Sequence, residues 1–252
     1  MNGDFSIFEL IMKILNLVTA HKDFEWNDLD KDSLNKFLVI SPNKIKTNIP
    51  HINYFDSKLY NDKIYSEISH LFYVRDNIES DWVVVNHYRR RFILPDYKTI
   101  YIPTPCEFKK SVKDMYAVFH NIEDLEYLTR LVMESNLSYE FKMEWMKSLD
   151  DNYMICYNMA SCPRKVFNDW IDTLYILLHQ FKEDKKLTVE KLNEETKTQT
   201  NTHEPTRILG FLGERISNCY WRVYSKKHNV LPNISEPIYP CDVKLLEKDM
   251  II

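Results

Sequence analysis

Glycine is nearly missing. Three occur in 252 residues, and two of them, Gly210 and Gly213, lie within "LGFLGER". A P-loop and a GxGxxG dinucleotide fingerprint both need closely spaced glycines in a strand-to-helix turn, so neither device is available to bind a nucleotide. The five cysteines (Cys106, Cys156, Cys162, Cys219 and Cys241) form no CxxC pair. That leaves zinc and redox motifs unsupported and makes a reduced, intracellular compartment the default expectation. Positive charge is not in surplus: 33 Lys and Arg face 37 Asp and Glu, a net −4. A broad nucleic-acid footprint is therefore not expected, and any anion site must be local. No apolar run reaches the roughly 18 residues of a membrane span. The stretch Phe5 to Ala20 is broken by Glu9 and Lys13 and lacks the basic leader of a signal peptide. The expectation is a soluble, cytoplasmic protein without a transmembrane segment and without a nucleic-acid partner.

What is present is core material, 44% hydrophobic and 13% aromatic, enough for one large domain over residues 1–252. After a short helical leader, "KILNLVTAHK" reads as a buried strand over Ile14 to Ala20, and "KFLVIS" as a second, ended by Pro42-Asn43. "YNDKIYSEISHLFYVRDNI" has helical period from Tyr60 to Ile78, with Asn61 or Asp62 as cap. "DWVVVNHYRRRF" begins as a third strand, apolar without alternation. Strands of this kind with a helix between two of them predict an α/β fold with a mostly parallel central sheet flanked by helices.

The second half predicts a mainly helical C-terminal part. "SVKDMYAVFHN" and "IEDLEYLTRLVMES" form one or two helices, "YEFKMEWMKSL" another, and "RKVFNDWIDTLYILLHQFKED" a long amphipathic one. "NYMICYNMASCP" reads as a strand bent at Pro163. Lys182 to Thr206, charged and without aromatics, reads as a mobile insertion, and about 229–252 as an irregular tail. In the last helix Gly210, Gly213 and Ser217 form a small-residue side that predicts close packing.

Ligands of parallel sheets bind at the carboxyl ends of strands. Three such ends are expected: Thr19-Ala20-His21-Lys22, Ser41-Pro42-Asn43, and Asn86-His87-Tyr88-Arg89-Arg90. Two are cationic, and together they would suit a diphosphate, because arginine meets phosphate oxygens in pairs. The competing reading makes them surface side chains lying over apolar neighbours. Glu67 and Arg75 fall on or beside the apolar stripe of their helix, where a carboxylate is costly unless paired. Either they form an internal ion pair, or Glu67 orients His87 or Arg89. For acid–base work or metal binding, His120 and Asp124 stand one helical turn apart. Asp150-Asp151 reads as a loop or cap.

The blocks "ILNLVTAHK", "YSEISHLFYVRDN", "DWVVVNHYRRRF", "YNMASCPRKVFNDWIDTLYIL" and "RILGFLGERI", in this order, resemble a family of capsular and exopolysaccharide glycosyltransferases that carries a His-Tyr-Arg-Arg block. The resemblance implies a GT-A-like, Rossmann-like fold and transfer of a sugar from a nucleotide-diphosphate donor to a glycan acceptor. It implies that His87, Arg89 and Arg90 face the diphosphate, and Asp124, taken from its spacing with His120, completes the expected catalytic set. Thr19, Ala20, His21, Lys22, Ser41, Asn61, Glu67, Asn86, Tyr157, Asn158 and Glu214 are implied as the donor-binding set. The His-Tyr-Arg-Arg block sits where other GT-A enzymes carry an Asp-x-Asp motif for Mn2+ or Mg2+; with no such motif here, metal dependence stays open and no metal ligand is assigned. The alternative function is a catalytically silent binding or scaffold protein on the same fold.

Overall fold

The computed structural model describes residues 12–20, 22–42, 44–54, 63–94, 97–196, 205–233 and 235–237. Strand β1 (Ile14–Thr19) is followed by the single-turn helix α1 (Lys31–Leu34), then β2 (Phe37–Ser41) and β3 (His51–Asn53). A 3-10 turn at Lys63–Tyr65 precedes α2 (Ile68–Asn77), β4 (Trp82–His87), β5 (Arg90–Phe92), β6 (Ile100–Pro103) and β7 (Cys106–Glu107). Three helices come next: α3 (Val112–Phe119), α4 (Ile122–Glu134) and α5 (Tyr139–Asp150). Ser111, Asn121 and Ser138 start them by accepting first-turn N–H groups, which fixes each boundary. The chain continues through β8 (Tyr153–Met154), β9 (Ala160–Pro163), α6 (Arg164–Lys185) and α7 (Val189–Thr196). A 3-10 turn at Pro205–Arg207 leads into α8 (Ile208–Ser225), β10 (Val230–Asn233) and β11 (Ser235–Pro237).

The sheet runs β10-β6-β9-β4-β1-β2-β3, with β5 and β11 attached beyond the end of β4. β1 lies parallel to both β2 and β4, as their continuous apolar sequences predict. β9 lies antiparallel between β4 and β6, so the sheet is mixed but mostly parallel. Side chains alternate between two covered faces. Leu15, Leu17, Val83 and Val85 enter a large core with α2, α6 and α8, while Val18 and Ala20 join Phe24, Trp26, Val39 and Ile49 on the other side.

Several expected elements are corrected. The helix expected from Tyr60 becomes a 3-10 turn, a break at Ser66 (φ 54°) and then α2. Ser66 has left the right-handed region, so one continuous helix is impossible there. "NYMICYNMASCP" is two short strands with an irregular link, and Pro163 opens α6 instead of bending a strand. The stretch read as a mobile insertion contains α7, whose Leu192 is buried, and the tail read as irregular contributes β10 and β11 to the sheet. The expected leader helix and Asn61 and Asp62 lie outside the described residues.

The small-residue side of α8 packs as expected. A Cβ on Gly210 would stand 2.8 Å from Ser66 Cβ, and one on Gly213 would stand 2.0 Å from Ile68 Cδ1. Glycine is what lets α8 approach the turn that opens α2.

Candidate functional site

Thr19 lies opposite His87, so the exits of β1 and β4 emerge together at one edge of the sheet. The Tyr88 N–H donates to the Thr19 carbonyl at 3.0 Å, and the Trp26 indole N–H donates to the Tyr88 carbonyl at 2.9 Å. The Tyr88 ring is flanked by cations, with Lys22 Nζ 5.5 Å and the Arg89 guanidinium 5.2 Å from its centre. The Arg90 guanidinium sits 4.2 Å from the centre of the Tyr157 ring. His87 Nδ1 lies 3.3 Å from the Arg89 backbone nitrogen.

The three arginines part company. Arg91 forms a two-pronged pair with Asp28 and lies 5.5 Å from the Trp26 ring. Among the described residues no carboxylate pairs with Arg89 or Arg90, which instead lie against aromatic faces.

Glu67, at the start of α2, is the hub beside these cations. Its carboxylate accepts from the Ser66 hydroxyl, from Arg207 Nη2 at 3.2 Å and from Asn158 Nδ2 at 3.4 Å. Arg207 Nε also donates to Ser66 Oγ at 2.8 Å. Burial pushes the Glu67 carboxyl up, but the Arg207 cation, the Ser66 hydroxyl and His87 together outweigh it and hold Glu67 down at about 2. The internal Glu67–Arg75 pair is not formed; Arg75, in the last turn of α2, pairs with Asp76 and with Asp172 of α6. His87, the other expected partner, acts on Glu67 through its charge.

Tyr157 (φ 78°) and Asn158 (φ 46°) are consecutive non-glycine residues in left-handed backbone, at a cost of roughly 1–2 kcal/mol each. Their contacts hold that conformation. The Tyr157 N–H donates to Glu214 Oε1 at 3.3 Å, and Asn158 bridges Glu67 to the Ser217 hydroxyl, which donates to Asn158 Oδ1 at 2.7 Å. Strain of this kind concentrates at functional sites. Glu214 also meets Arg215 Nη1 at 3.3 Å. Burial, opposed by Arg215 and reinforced by the charge of Glu67, pushes Glu214 up to about 7. One site thus holds an ionised carboxylate and a carboxyl that titrates near neutrality, a division set by environment.

Not every expected residue joins this group. The Thr19 hydroxyl donates to the Asn86 carbonyl, and Asn86 is spent on the Leu17 carbonyl and the Phe92 N–H. Both pin strands together. Ser41 is fully buried, Ala20 offers its carbonyl to His70, and Lys22 is exposed. His21 and Asn61 lie outside the described residues. His120 and Asp124 are not one turn apart on a helix: His120 ends α3, its ring tilted against that of Phe211 with centres 4.2 Å apart, and Asp124 lies in the first turn of α4, where Lys185 Nζ lies 3.6 Å away. Asn121 caps α4 between them, which separates the two helices.

Sequence reasoning gave no role to Arg207 or Ser66, although "RILGFLGER" and the turn before α2 were both in view. It also missed His70, whose Nδ1 lies 2.8 Å from the Glu67 carbonyl and Nε2 3.0 Å from the Ala20 carbonyl. Two carbonyls can both be satisfied only by a doubly protonated ring, while burial pushes His70 down. His70 therefore ties the β1 exit to the Glu67 turn.

The donor set at this edge does not suit a divalent cation. His87, Arg89 and Arg90 bring positive charge, and the Glu67 oxygens are already held by Ser66, Arg207 and Asn158. Among the described residues no three His, Cys, Asp or Glu side chains group closely enough to hold a metal ion. No helix among them is long and apolar enough to cross a membrane.

The architecture matches a solved structure described as the apo form of WbbM, a bifunctional glycosyltransferase, with a TM-score of 0.65 and 17% identity. The match takes in 89% of this chain and 45% of that one, so this chain spans under half of that protein's length. The likeness is one of fold, and it identifies the mixed sheet and its flanking helices as a GT-A-like α/β fold. No curated protein matches the sequence. The His-Tyr-Arg-Arg block, residues 87–90, precedes the span that does match a family: residues 93–227, more than half of the chain, match the family described as Domain of unknown function (DUF4422), and the chain belongs to that family.

Proposed function

We propose that the protein is a glycosyltransferase that moves a sugar from a nucleotide-diphosphate donor to a glycan acceptor. The observation that carries this reading is the pair Arg89 and Arg90, set without described carboxylate partners beside the β1 exit on a glycosyltransferase-type fold. Two guanidiniums and His87 at that edge suit the two phosphates of such a donor. As the glycosidic bond breaks, charge grows on the departing diphosphate, and cations already in place stabilise it without reorganising. Glu67 stays ionised and orders Arg207, Ser66 and Asn158 around the reacting space. Glu214, held up to about 7, is the carboxyl able to take or release a proton near neutral pH, a role that Asp124, beside Lys185, is less well placed to fill.

Thermal melting against UDP-, GDP- and TDP-sugars tests the donor class. A ligand at 100 times its dissociation constant adds about 2.7 kcal/mol of stability. A shift with one nucleotide family, followed by release of its nucleoside diphosphate when glycans are added, is expected. Binding without turnover would favour a silent scaffold, and no shift with any nucleotide would contradict the proposal.

A further inference from the structure

Cys106 and Cys156 lie beside the Arg90 platform and take no part in the proposed transfer. Cys106 sits on β7 opposite Met154 of β8, and Cys156 follows two residues beyond Met154. The Cys156 thiol donates to the Met154 carbonyl at 3.5 Å, on the residue that Cys106 faces across the ladder, so the two thiols are brought to one place. Cys106 Sγ also lies 3.7 Å from the Tyr157 hydroxyl, and the same Tyr157 ring carries Arg90. Cys106 is half-buried, whereas Cys156 is buried. The geometry points to a redox-modification site: Cys106 reacts with a hydroperoxide, and Cys156 closes a disulfide that disturbs the Tyr157–Arg90 platform.

The chemistry is favourable at Cys106 in particular. The Cys156 thiol, the Tyr157 hydroxyl and the Arg90 cation outweigh burial and hold Cys106 down at about 6, so at neutral pH it is the thiolate nucleophile. Its lone pair attacks the outer oxygen of the peroxide and the O–O bond breaks. The alkoxide or hydroxide leaves and takes up a proton from water. Sulfur is oxidised by two electrons to the sulfenic acid, and peroxide is reduced to alcohol or water. Cys156 remains a thiol until then, held up by the neighbouring Cys106 and by burial. Its sulfur then attacks the Cys106 sulfur, the S–O bond breaks, and hydroxide leaves with the Cys156 proton as water. Once in a disulfide the Cys106 sulfur has lost its thiolate charge, which weakens the contact it makes with the Tyr157 hydroxyl. Cys162 and Cys219, buried and with both thiols pushed up by that burial, should stay unreacted.

The link to donor binding rests on the proposed function; the thiol chemistry does not. The full chain, reduced and then exposed to hydrogen peroxide, is digested without reductant, and its peptides are weighed. A Cys106–Cys156 peptide pair is expected. In Cys156→Ser, dimedone should trap the sulfenic acid at Cys106; in Cys106→Ser, no disulfide involving Cys156 and no dimedone adduct should form. Titration with UDP and GDP, before oxidation and after, reads the coupling. Affinity should fall about tenfold, the factor carried by about 1.4 kcal/mol, and dithiothreitol should restore it. Absence of the disulfide, or equal labelling of Cys162 and Cys219, overturns the thiol pair. A disulfide that leaves nucleotide affinity unchanged overturns its link to Arg90. A reduced protein that forms the disulfide but binds neither nucleotide supports the pair and contradicts the donor-site reading.

Discussion

Two groups of cations in this molecule are used in opposite ways. Between α5 and α8, Arg222 is buried and meets both Glu144 and Asp151, and Lys226 supplies a second cation to Glu144. Glu144 is 3% exposed, and every charge there has an opposite charge beside it. At the exit of β4, Arg91 follows the same rule with Asp28, but Arg89 and Arg90 rest on tyrosine rings with no described carboxylate. Cations that hold a fold together are matched within the fold. Cations that no described carboxylate meets, at the carboxyl edge of a mostly parallel sheet, are the ones proposed to receive an anion from outside.

The difference can be broken first where it is largest. Arg222→Ala leaves the Glu144 carboxylate buried with only Lys226, and stability should fall by about 3–5 kcal/mol in urea unfolding. A loss below 1 kcal/mol would show the cluster to be weaker than its burial implies. Gly210→Leu drives a side chain into Ser66 and should cost about 1–3 kcal/mol while disturbing the Glu67 turn. An unchanged melting temperature would argue against the close approach of α8.

At the open group, Arg89→Ala or Arg90→Ala should leave folding intact and weaken nucleoside-diphosphate binding by about 1.5–3 kcal/mol, with turnover falling alongside. Lysine at either position should restore only part of the loss, because charge returns without the fork.

Glu214 gives a smaller, pH-dependent effect. Its folded pKa of about 7 lies above the usual 4.5, so the folded state holds the proton more tightly than the unfolded chain. The stability from that proton is fully present below about pH 4.5 and is lost as pH rises through 7. Glu214→Gln should therefore flatten the stability profile between those values, as read by urea melts across the range. A profile parallel to wild type would remove Glu214 from the neutral-pH role. The smallest effect is expected for Arg91→Ala: its pair with the half-exposed Asp28 should contribute about 0–1 kcal/mol to stability.

Much of this contrast was legible before the structure. Uninterrupted valines announced β4 as a covered strand, and "NHYRRRF" announced cations at its end. Two glycines in "LGFLGER" announced the close approach of α8. What was not legible depends on partners distant in the chain. Arg207 reaches Glu67 across 140 positions, and nothing local to either residue reveals it. The left-handed turn at Tyr157-Asn158 carries no glycine to mark it, since Glu214 and Ser217 hold it from another helix. His120 and Asp124 misled because a helical spacing was counted across a cap.

The most direct measurement is calorimetric titration of one nucleoside diphosphate into wild type, Arg90→Ala and Arg91→Ala, each first shown to be folded. Neighbours in sequence, these arginines differ in whether a described carboxylate already meets them. The expected result is a loss of more than tenfold in affinity for Arg90→Ala, with Arg91→Ala within about threefold of wild type. Equal affinity in all three proteins, or the larger loss in Arg91→Ala, would contradict the assignment of the open arginines to the donor diphosphate.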